Sequence, residues 1–482
     1  ALSLDPFAGS PSHVDGQRGT FTVNPTDKTG TDFRAKGRLV YTRERYLRHA
    51  GTHEPFIKGG AGSPENLLAY ADFDGTMDNG GPDALPGDGL HRYGPHVDDW
   101  TDGDPQWKAG KGKGLIGGLN YLAAQDINAI YLLLMNWRGD GDDVWPWPAP
   151  QQQDRFDVSK LDQWEIVFAH MDQLGIAPNM LVQETENDTL FDGGSLGRLR
   201  KLYFREMVAR FGHHLGVTWN LGEENNNSTA ERIAFAEYIA ALDPYDHPIV
   251  VHNHVHLVPE TYDPLLGVEP FTGPSFQLAN PGSVHSRTIQ YLDLAEASGR
   301  PWVVPIDEIG HYSIGASPDG EGNNHDEIRR DVLWGNLMAG GAGVEWYFGY
   351  TRPHADLNLE DWRSRHDLWR QTATALNFFR TYLPFDEMQH HDGLTWPDED
   401  YVLAKPGEVY AVYLPAGGTT ALEVKDYPNR TFSVQWFDPR KGSPLMAGSI
   451  SFVQGGSNAV MLGTPPYEPN ADWVILVRAV DR

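Results

Sequence analysis

The sequence predicts an α/β fold: a (β/α)8 barrel, a C-terminal antiparallel β-sandwich, and a short β-rich N-terminal arm. Through the middle of the chain, eight short apolar runs alternate with helical patterns, as in βαβ units around a parallel sheet. The pattern then changes to short strands divided by turn residues, as in a small sandwich. Two of the apolar runs end abruptly in acids, at Glu223 and Glu224 and at Asp307 and Glu308. A carboxylate at the mouth of a buried strand is costly unless chemistry needs it there.

Residues 1–54 are polar and glycine-rich, with strand-like pieces at 19–23 and 37–42, and read as a β-rich arm or the remnant of an N-terminal domain. The barrel occupies 55–385. Its strands are expected at 56–60, 129–135, 179–183, 217–221, 249–253, 275–279, 302–306 and 343–348. Helices are expected between them at 113–125, 158–174, 194–210, 230–242, 286–298 and 326–339. An open doubly wound sheet is the alternative, but no phosphate-binding glycine fingerprint follows the first strand. Residues 72–107 lack periodicity and read as an Asp/Gly-rich loop wrapping the barrel mouth. The sandwich occupies 386–482, with strands at 401–404, 409–414, 420–424, 431–437, 449–453, 459–462 and 473–477. No Gly/Ser-rich linker stands between 385 and 400, so the sandwich is expected to pack on the barrel.

The 482 residues carry a formal charge of −28, which disfavours nucleic acid and anionic membrane as partners. There is no cysteine, so thiol catalysis, disulfides, zinc–thiolate and iron–sulfur sites are excluded. No apolar run is long enough for a membrane span, so no membrane insertion is expected. The chain begins at Ala1 with no signal-peptide pattern. The missing initiator Met leaves open a signal or larger segment removed upstream, and a secreted or periplasmic bacterial location is expected. Fifteen Trp, 20 Tyr and 20 Phe exceed what a generic core needs, and aromatic faces can stack on sugar rings.

Barrel proteins hold functional groups at the C-terminal ends of their strands. Counting along the chain, 217–221 is the fourth strand and 302–306 the seventh. Glu223 or Glu224 then projects from one side of the mouth, and Asp307 or Glu308 from the other. One carboxyl can protonate a leaving oxygen while the other attacks or activates water. Other strand ends supply a lining suited to sugar hydroxyls and rings. They are Asn136, Trp137 and Asp140 for the second strand, Glu184 and Glu186 for the third, and Asn220 for the fourth. Asn280 follows the sixth, and Glu345, Trp346 and Tyr350 lie on or after the eighth. His252, His254 and His256 alternate, which would place them on one strand face and allow a metal site. His254 and His256 are expected to bind substrate instead, and no metal or other cofactor is required. Asp-rich runs at 72–78 and 140–143 allow a structural calcium, but neither completes an EF-hand loop.

Trp219-Asn220-Leu221-Gly222-Glu223-Glu224 resembles the Trp-x-Leu-Gly-Asn-Glu run that often carries the acid/base in the clan of retaining barrel glycosidases. The resemblance puts the acid/base on Glu224 and departs from the pattern at Glu223, where the clan has Asn. Glu308 is then expected as the nucleophile, with Glu223 and Asp307 as alternates. Phe56-Ile57-Lys58-Gly59-Gly60, Ser63-Pro64-Glu65-Asn66, Leu68-Ala69-Tyr70 and Gln183-Glu184-Thr185-Glu186-Asn187-Asp188 look like a family of bacterial glycoside hydrolases. Val434-Gln435-Trp436-Phe437-Asp438-Pro439-Arg440 looks like that family's C-terminal module, which is named for collagen binding. The resemblance implies double displacement, and the expected substrate is an algal, plant or bacterial poly- or oligosaccharide. Carboxyls roughly 5–5.5 Å apart are expected, with Glu224 titrating high and Glu308 low. Two other readings stand beside it. A polysaccharide lyase or metal-dependent enzyme would use the His face, but a lyase needs Lys or Arg in the cleft, and these strand ends are acidic. A non-catalytic carbohydrate-binding protein needs no paired acids.

Overall fold

The computed structural model describes residues 13, 16–22, 24–80, 89–396 and 400–480. Eight parallel strands form the barrel: β1 (Lys58–Ala61), β2 (Ala129–Leu133), β3 (Ala177–Leu181), β4 (Thr218–Asn220), β5 (Ile249–Val250), β6 (Phe276–Leu278), β7 (Ile306–Ile309) and β8 (Gly343–Trp346). Each strand pairs with its neighbour in sequence from β1 to β5 and from β6 to β8, and β8 pairs back onto β1. The ring closes between β5 and β6 through the parallel bridges Ile249↔Phe271 and His252↔Ser275. There Ser275 N–H donates to the Val251 carbonyl at 3.1 Å. β2, β3 and β8 are buried at every position, because helices cover them outside and side chains fill the barrel inside.

Six strands keep the expected bounds to within two residues, and two depart further. β7 starts at Ile306 rather than 302, since Pro305 has no N–H for the ladder. The apolar lead-in is buried instead, with Trp302 against Tyr262 and Tyr291. β5 ends at Val250, and the chain turns at Val255 and His256. His252, His254 and His256 therefore do not share a strand face.

Helices Lys113–Ala124, Val158–Leu174, Arg198–Phe211, Thr229–Leu242 and Val284–Ala297 fall where the periodicity put them. Local chemistry sets their ends. The Asp157 side chain accepts from Lys160 N–H at one helix start, and Gly175 closes that helix in the left-handed region. Ser228 and Glu231 form a reciprocal capping box on Thr229–Leu242. The helix expected at 326–339 contains a π-helical turn, Arg329–Trp334. His366–Tyr382 and the short Val258–Tyr262 complete the outer layer. No described helix is long and apolar enough to cross a membrane.

In the arm, Leu39–Val40, Leu47–His49 and Pro55–Phe56 form an antiparallel sheet. It covers the barrel floor with Leu39, Leu47 and Phe56 beside Ala177. Residues 19–22 form no strand, and Val23 lies outside the described residues. Of the 72–107 stretch, 81–88 lie outside the described residues, and the rest is more ordered than a bare loop. It contains the 3-10 helix Gly94–Asp99, which packs on Lys113–Ala124, and Trp107 stacks on Phe73 at 5.3 Å.

The sandwich has a six-stranded antiparallel sheet and a three-stranded one. Alternation along the long strands divides their side chains between two cores. Tyr410, Val412, Leu414, Trp473, Ile475 and Val477 face the smaller sheet. Ala411, Tyr413, Val474 and Leu476 face the barrel helices. Trp334 stacks on Tyr413 at 5.2 Å, and Phe378 meets Phe437 at 4.6 Å. Arg329 and Asp472 form an ion pair at 2.9 Å with 2% of each side chain exposed, and the Tyr413 hydroxyl donates to Asp472 at 2.9 Å.

Asp472→Ala leaves Arg329 buried with only the exposed Asp326 as an ionic partner. It should destabilise the chain by about 3 kcal/mol, the low end for breaking a buried pair. Urea unfolding measures this, and a loss under about 1 kcal/mol would contradict the role given to the pair.

Candidate active site

An open cleft lies at the C-terminal ends of the strands. Asp140, Glu184, Glu186, Glu223, Glu224 and Glu308 bring carboxyls to it, and Tyr312, Tyr347 and Tyr350 bring rings. No Lys or Arg is among the described residues that line it.

β7 turns two consecutive acids inward because its ladder slips. Ile306 pairs with Phe276 and Glu308 with Gln277, which leaves Asp307 as the extra residue of a bulge. Asp307 drops toward the barrel floor, 2.5 Å from Lys58 Nζ and 3.2 Å from Asn179 Nδ2. Lys58 also meets Glu345 at 2.9 Å. Gly60 leaves room for Glu345, since a Cβ there would lie 2.5 Å from Glu345 Cγ. Glu308 stands higher, its Oε2 3.3 Å from His252 Nε2. His252 Nδ1 is 3.3 Å from the Tyr131 hydroxyl and from Ser275 Oγ. A hydroxyl donating to Nδ1 puts the ring proton on Nε2, facing Glu308.

Beyond β4, Gly222 (φ 136°) turns the chain where a Cβ would lie 2.7 Å from Gln183 Cγ. Glu223 N–H donates to the Gln183 carbonyl at 3.0 Å. Single donor atoms of Glu223, Glu308 and His252 lie within 4.8 Å of one another, and so do oxygens of Glu223, Glu65 and Glu184. Burial, and then the Glu308 carboxylate, push Glu223 well above the usual range. Burial raises Glu65, with Glu223 adding to it, and raises Glu184, with Asp140 adding to it.

Glu224 adopts φ 38°, a strained conformation for a residue with a side chain. Its Oε1 accepts from Gln277 at 2.9 Å, and its Oε2 lies 3.0 Å from His254 Nδ1. Burial pushes Glu224 up, but His254 and Gln277 outweigh it and the net direction is down. The expectation of a high Glu224 is thus reversed: the acid held high after β4 is Glu223. The following turn is pinned by Arg232 donating to Asn225 at 3.1 Å and Gln183 donating to Asn227 at 2.6 Å.

Glu184 and His256 line the cleft, and His254 stands behind Glu224. Several other expected lining residues are elsewhere. Asn136 is fully buried and ties Asp143 to the Asp140 carbonyl. Trp137 is buried, with Arg138 over its ring at 4.7 Å. Asn220 points down the barrel to Ser275 and Asn179. Glu345 is on the floor, and so is Asp307, which removes Asp307 as a catalytic alternate. Trp346 alternates outward and donates to Thr372 at 2.9 Å. Asn280 is exposed and caps the turn Pro281–Ser283. Carboxylates of the Asp-rich runs are engaged locally: Asp72 accepts from Gly112, Asp74 from Ser159, and Asp143 from Asn66. Sequence reasoning missed Glu65, Gln277 and Asp356. A search of the first and sixth strand ends finds the first two. Asp356, which accepts from Glu65 N–H at 3.1 Å, comes from a loop with no such signal.

Residues 393–478 match the family model described as "Putative collagen-binding domain of a collagenase". No curated protein matches the chain. A solved structure described as "Glycoside hydrolase" is 14% identical, with a TM-score of 0.66, over 92% of this chain and 97% of its own. A glycoside hydrolase family 5 structure from Bacteroides vulgatus is 15% identical, with a TM-score of 0.66, over 94% and 95%. At these identities the likeness establishes a shared barrel-plus-sandwich fold along nearly the whole chain.

Burial, more than any neighbour, pushes Asp356 up to about 7 from its ordinary 3.8. Its proton is therefore held more tightly in the fold than in the unfolded chain. The stability this contributes is complete below about pH 4 and is lost as pH rises toward 7. Asp356→Asn should remove that part of the slope in urea-unfolding free energy between pH 4 and 7. An unchanged slope would contradict the assignment.

Proposed function

We propose that the chain is a retaining glycoside hydrolase acting on a neutral poly- or oligosaccharide of plant, algal or bacterial origin. One observation carries this reading. Carboxyls from the ends of β4 and β7 converge at the mouth of a (β/α)8 barrel, with oxygens of Glu223 and Glu308 within 4.8 Å. That closeness would be a retaining spacing, roughly 5–5.5 Å, if Glu223 were the acid/base; for the pair Glu224 and Glu308 the retaining reading rests on the likeness of Trp219–Glu224 to the acid/base run of retaining barrel glycosidases. The shared fold with structures described as glycoside hydrolases supports it. An acidic cleft with no Lys or Arg among its described lining residues argues against a lyase and against uronate or sulfated chains.

Glu308 attacks the anomeric carbon, with His252 Nε2–H orienting one of its oxygens. Glu224 supplies the proton to the leaving oxygen. A third of its side chain is exposed, and its Oε2 lies 3.0 Å from His254 Nδ1. The same pair then deprotonates the water that opens the glycosyl ester. Glu223, with its carboxyl held toward the neutral form by burial and by Glu308, stands beside Glu308 where the clan pattern has an Asn amide. Two observations favour a second reading, with Glu223 itself as the donor: its high proton affinity and its closeness to Glu308.

Glu308→Ala should abolish turnover. Glu224→Gln should lower kcat/KM roughly 10²–10⁴-fold on unactivated glycosides and far less on aryl glycosides with good leaving groups. Glu223→Gln keeps an N–H donor and should stay within about tenfold of wild type. The opposite pattern would move the proton donor to Glu223, and full turnover in Glu308→Ala would sink the reading. Activity abolished by chelator and restored by a divalent ion would instead support a metal at Glu223, His252 and Glu308.

A further inference from the structure

At the other end of β4 from Glu223 lies a cluster with no part in the cleft. His213 and His214 sit side by side in the turn after helix Arg198–Phe211, their ring centroids 4.3 Å apart. Both present Nε2 to one carboxylate, that of Glu165 on helix Val158–Leu174. His213 Nε2 is 3.1 Å from Oε1, and His214 Nε2 is 3.1 Å from Oε2. Single donor atoms of Glu165, His213 and His214 lie within 4.8 Å of one another. We propose that His213, His214 and Glu165 form a zinc site that ties this helix to the turn entering β4.

The convergence of the three donors is the main argument. His214 Nδ1 lies 2.8 Å from Asp172 Oδ2, and a carboxylate only accepts, so Nδ1 carries a proton. Burial opposes a second proton, but the Asp172 and Glu165 carboxylates raise the ring to about 9, so a metal ion at Nε2 takes that proton's place. His213 brings a second ring nitrogen to the other oxygen of the same carboxylate. A metal ion can take all three donors at once. Two donors at ~2.0–2.1 Å from a tetrahedral zinc are ~3.3 Å apart, close to the spacings seen here. Imidazole and carboxylate donors suit zinc. Asp172 also fills the outer position that orients a metal-binding imidazole.

The site is built rather than adventitious in shape. Glu165 and Asp172 are seven residues apart on one helix, so they share its inner face. Asp172 Oδ1 accepts from Leu215 N–H at 2.9 Å. The His214 ring meets Phe168 edge-on at 5.8 Å, and its carbonyl is 3.0 Å from His247 Nε2. His214 is thus held in place with 1% of its side chain exposed, while His213 and Glu165 remain open to solvent at 51% and 37%. An ion can enter from outside onto one fixed ligand and two movable ones.

The test is titration of the full chain with ZnCl2 by calorimetry, with X-ray absorption at the zinc edge. One zinc per chain is expected, with two imidazole nitrogens at ~2.0–2.1 Å, and with added zinc raising Tm. His213→Ala and Glu165→Gln, both at exposed positions, should abolish that binding and the Tm rise while leaving glycosidase activity unchanged. Asp172→Asn should weaken binding roughly 10–100-fold. The proposal is overturned if wild type shows no saturable binding, or if His213→Ala retains it. It is also overturned if the edge spectrum shows a single imidazole, as the Glu223, His252 and Glu308 group in the cleft would give.

Discussion

The ammonium of Lys58 is the charge on which the barrel interior depends. It stands on β1 between Asp307 and Glu345, both buried, and two carboxylates that close cannot stay ionised in a dry core without a cation. Even so, burial holds Glu345 up at about 7 against the pull of Lys58. The gain from such a buried pair lies less in net stability than in registration. Lys58 fixes Asp307, the extra residue of the β7 bulge, and the bulge sets the height and direction of Glu308. From there polar contacts climb the barrel: Asn179 to Asn220, Asn220 to Ser275, Ser275 to His252, and His252 to Glu308.

The mouth shows the reverse balance. Asp356, Glu65, Glu223 and Glu184 crowd together with far fewer cations than carboxyls, and each is pushed toward its neutral form. The fold tolerates this because the scaffold beneath is rigid. Fully buried tryptophans such as Trp145, Trp147 and Trp219 serve that scaffold, and the rings at the cleft are tyrosines. The strained backbone at Glu224 and the close-fitting Gly222 sit in the same turn, where a protein stores strain for a site and not for its core.

Much of the fold was legible because its signals are local. Apolar runs, capping residues such as Ser228 and Glu231, and Gly175 as a helix stop mark elements from a few neighbouring residues. The two carboxylate-bearing strand ends were legible for the same reason. Orientation was not. The sequence shows Asp307 beside Glu308 but cannot show that a one-residue slip turns both inward and separates them by height. Nor can it show that Glu345 faces in while Trp346 faces out until the pairing with Gly60 and Ala61 is known. Glu65 and Asp356 are 291 positions apart, and only barrel closure brings them together. The His alternation misled because periodicity presumes a strand, and the strand had already ended at Val250.

The two-faced burial of the long sandwich strands bears on how such a chain can evolve. One set of side chains in Val409–Leu414 and Trp473–Ala479 belongs to the sandwich core, and the alternate set belongs to the barrel core. A unit of this kind cannot be cut out and grafted onto an unrelated enzyme, since grafting would expose Tyr413, Val474 and Leu476 and strand Asp472 without Arg329. The barrel helix with the π-helical turn is equally bound to its partner through Arg329 and Trp334. The piece that recombination can move intact is therefore the barrel and sandwich together, and substitutions across their seam must be accepted in pairs.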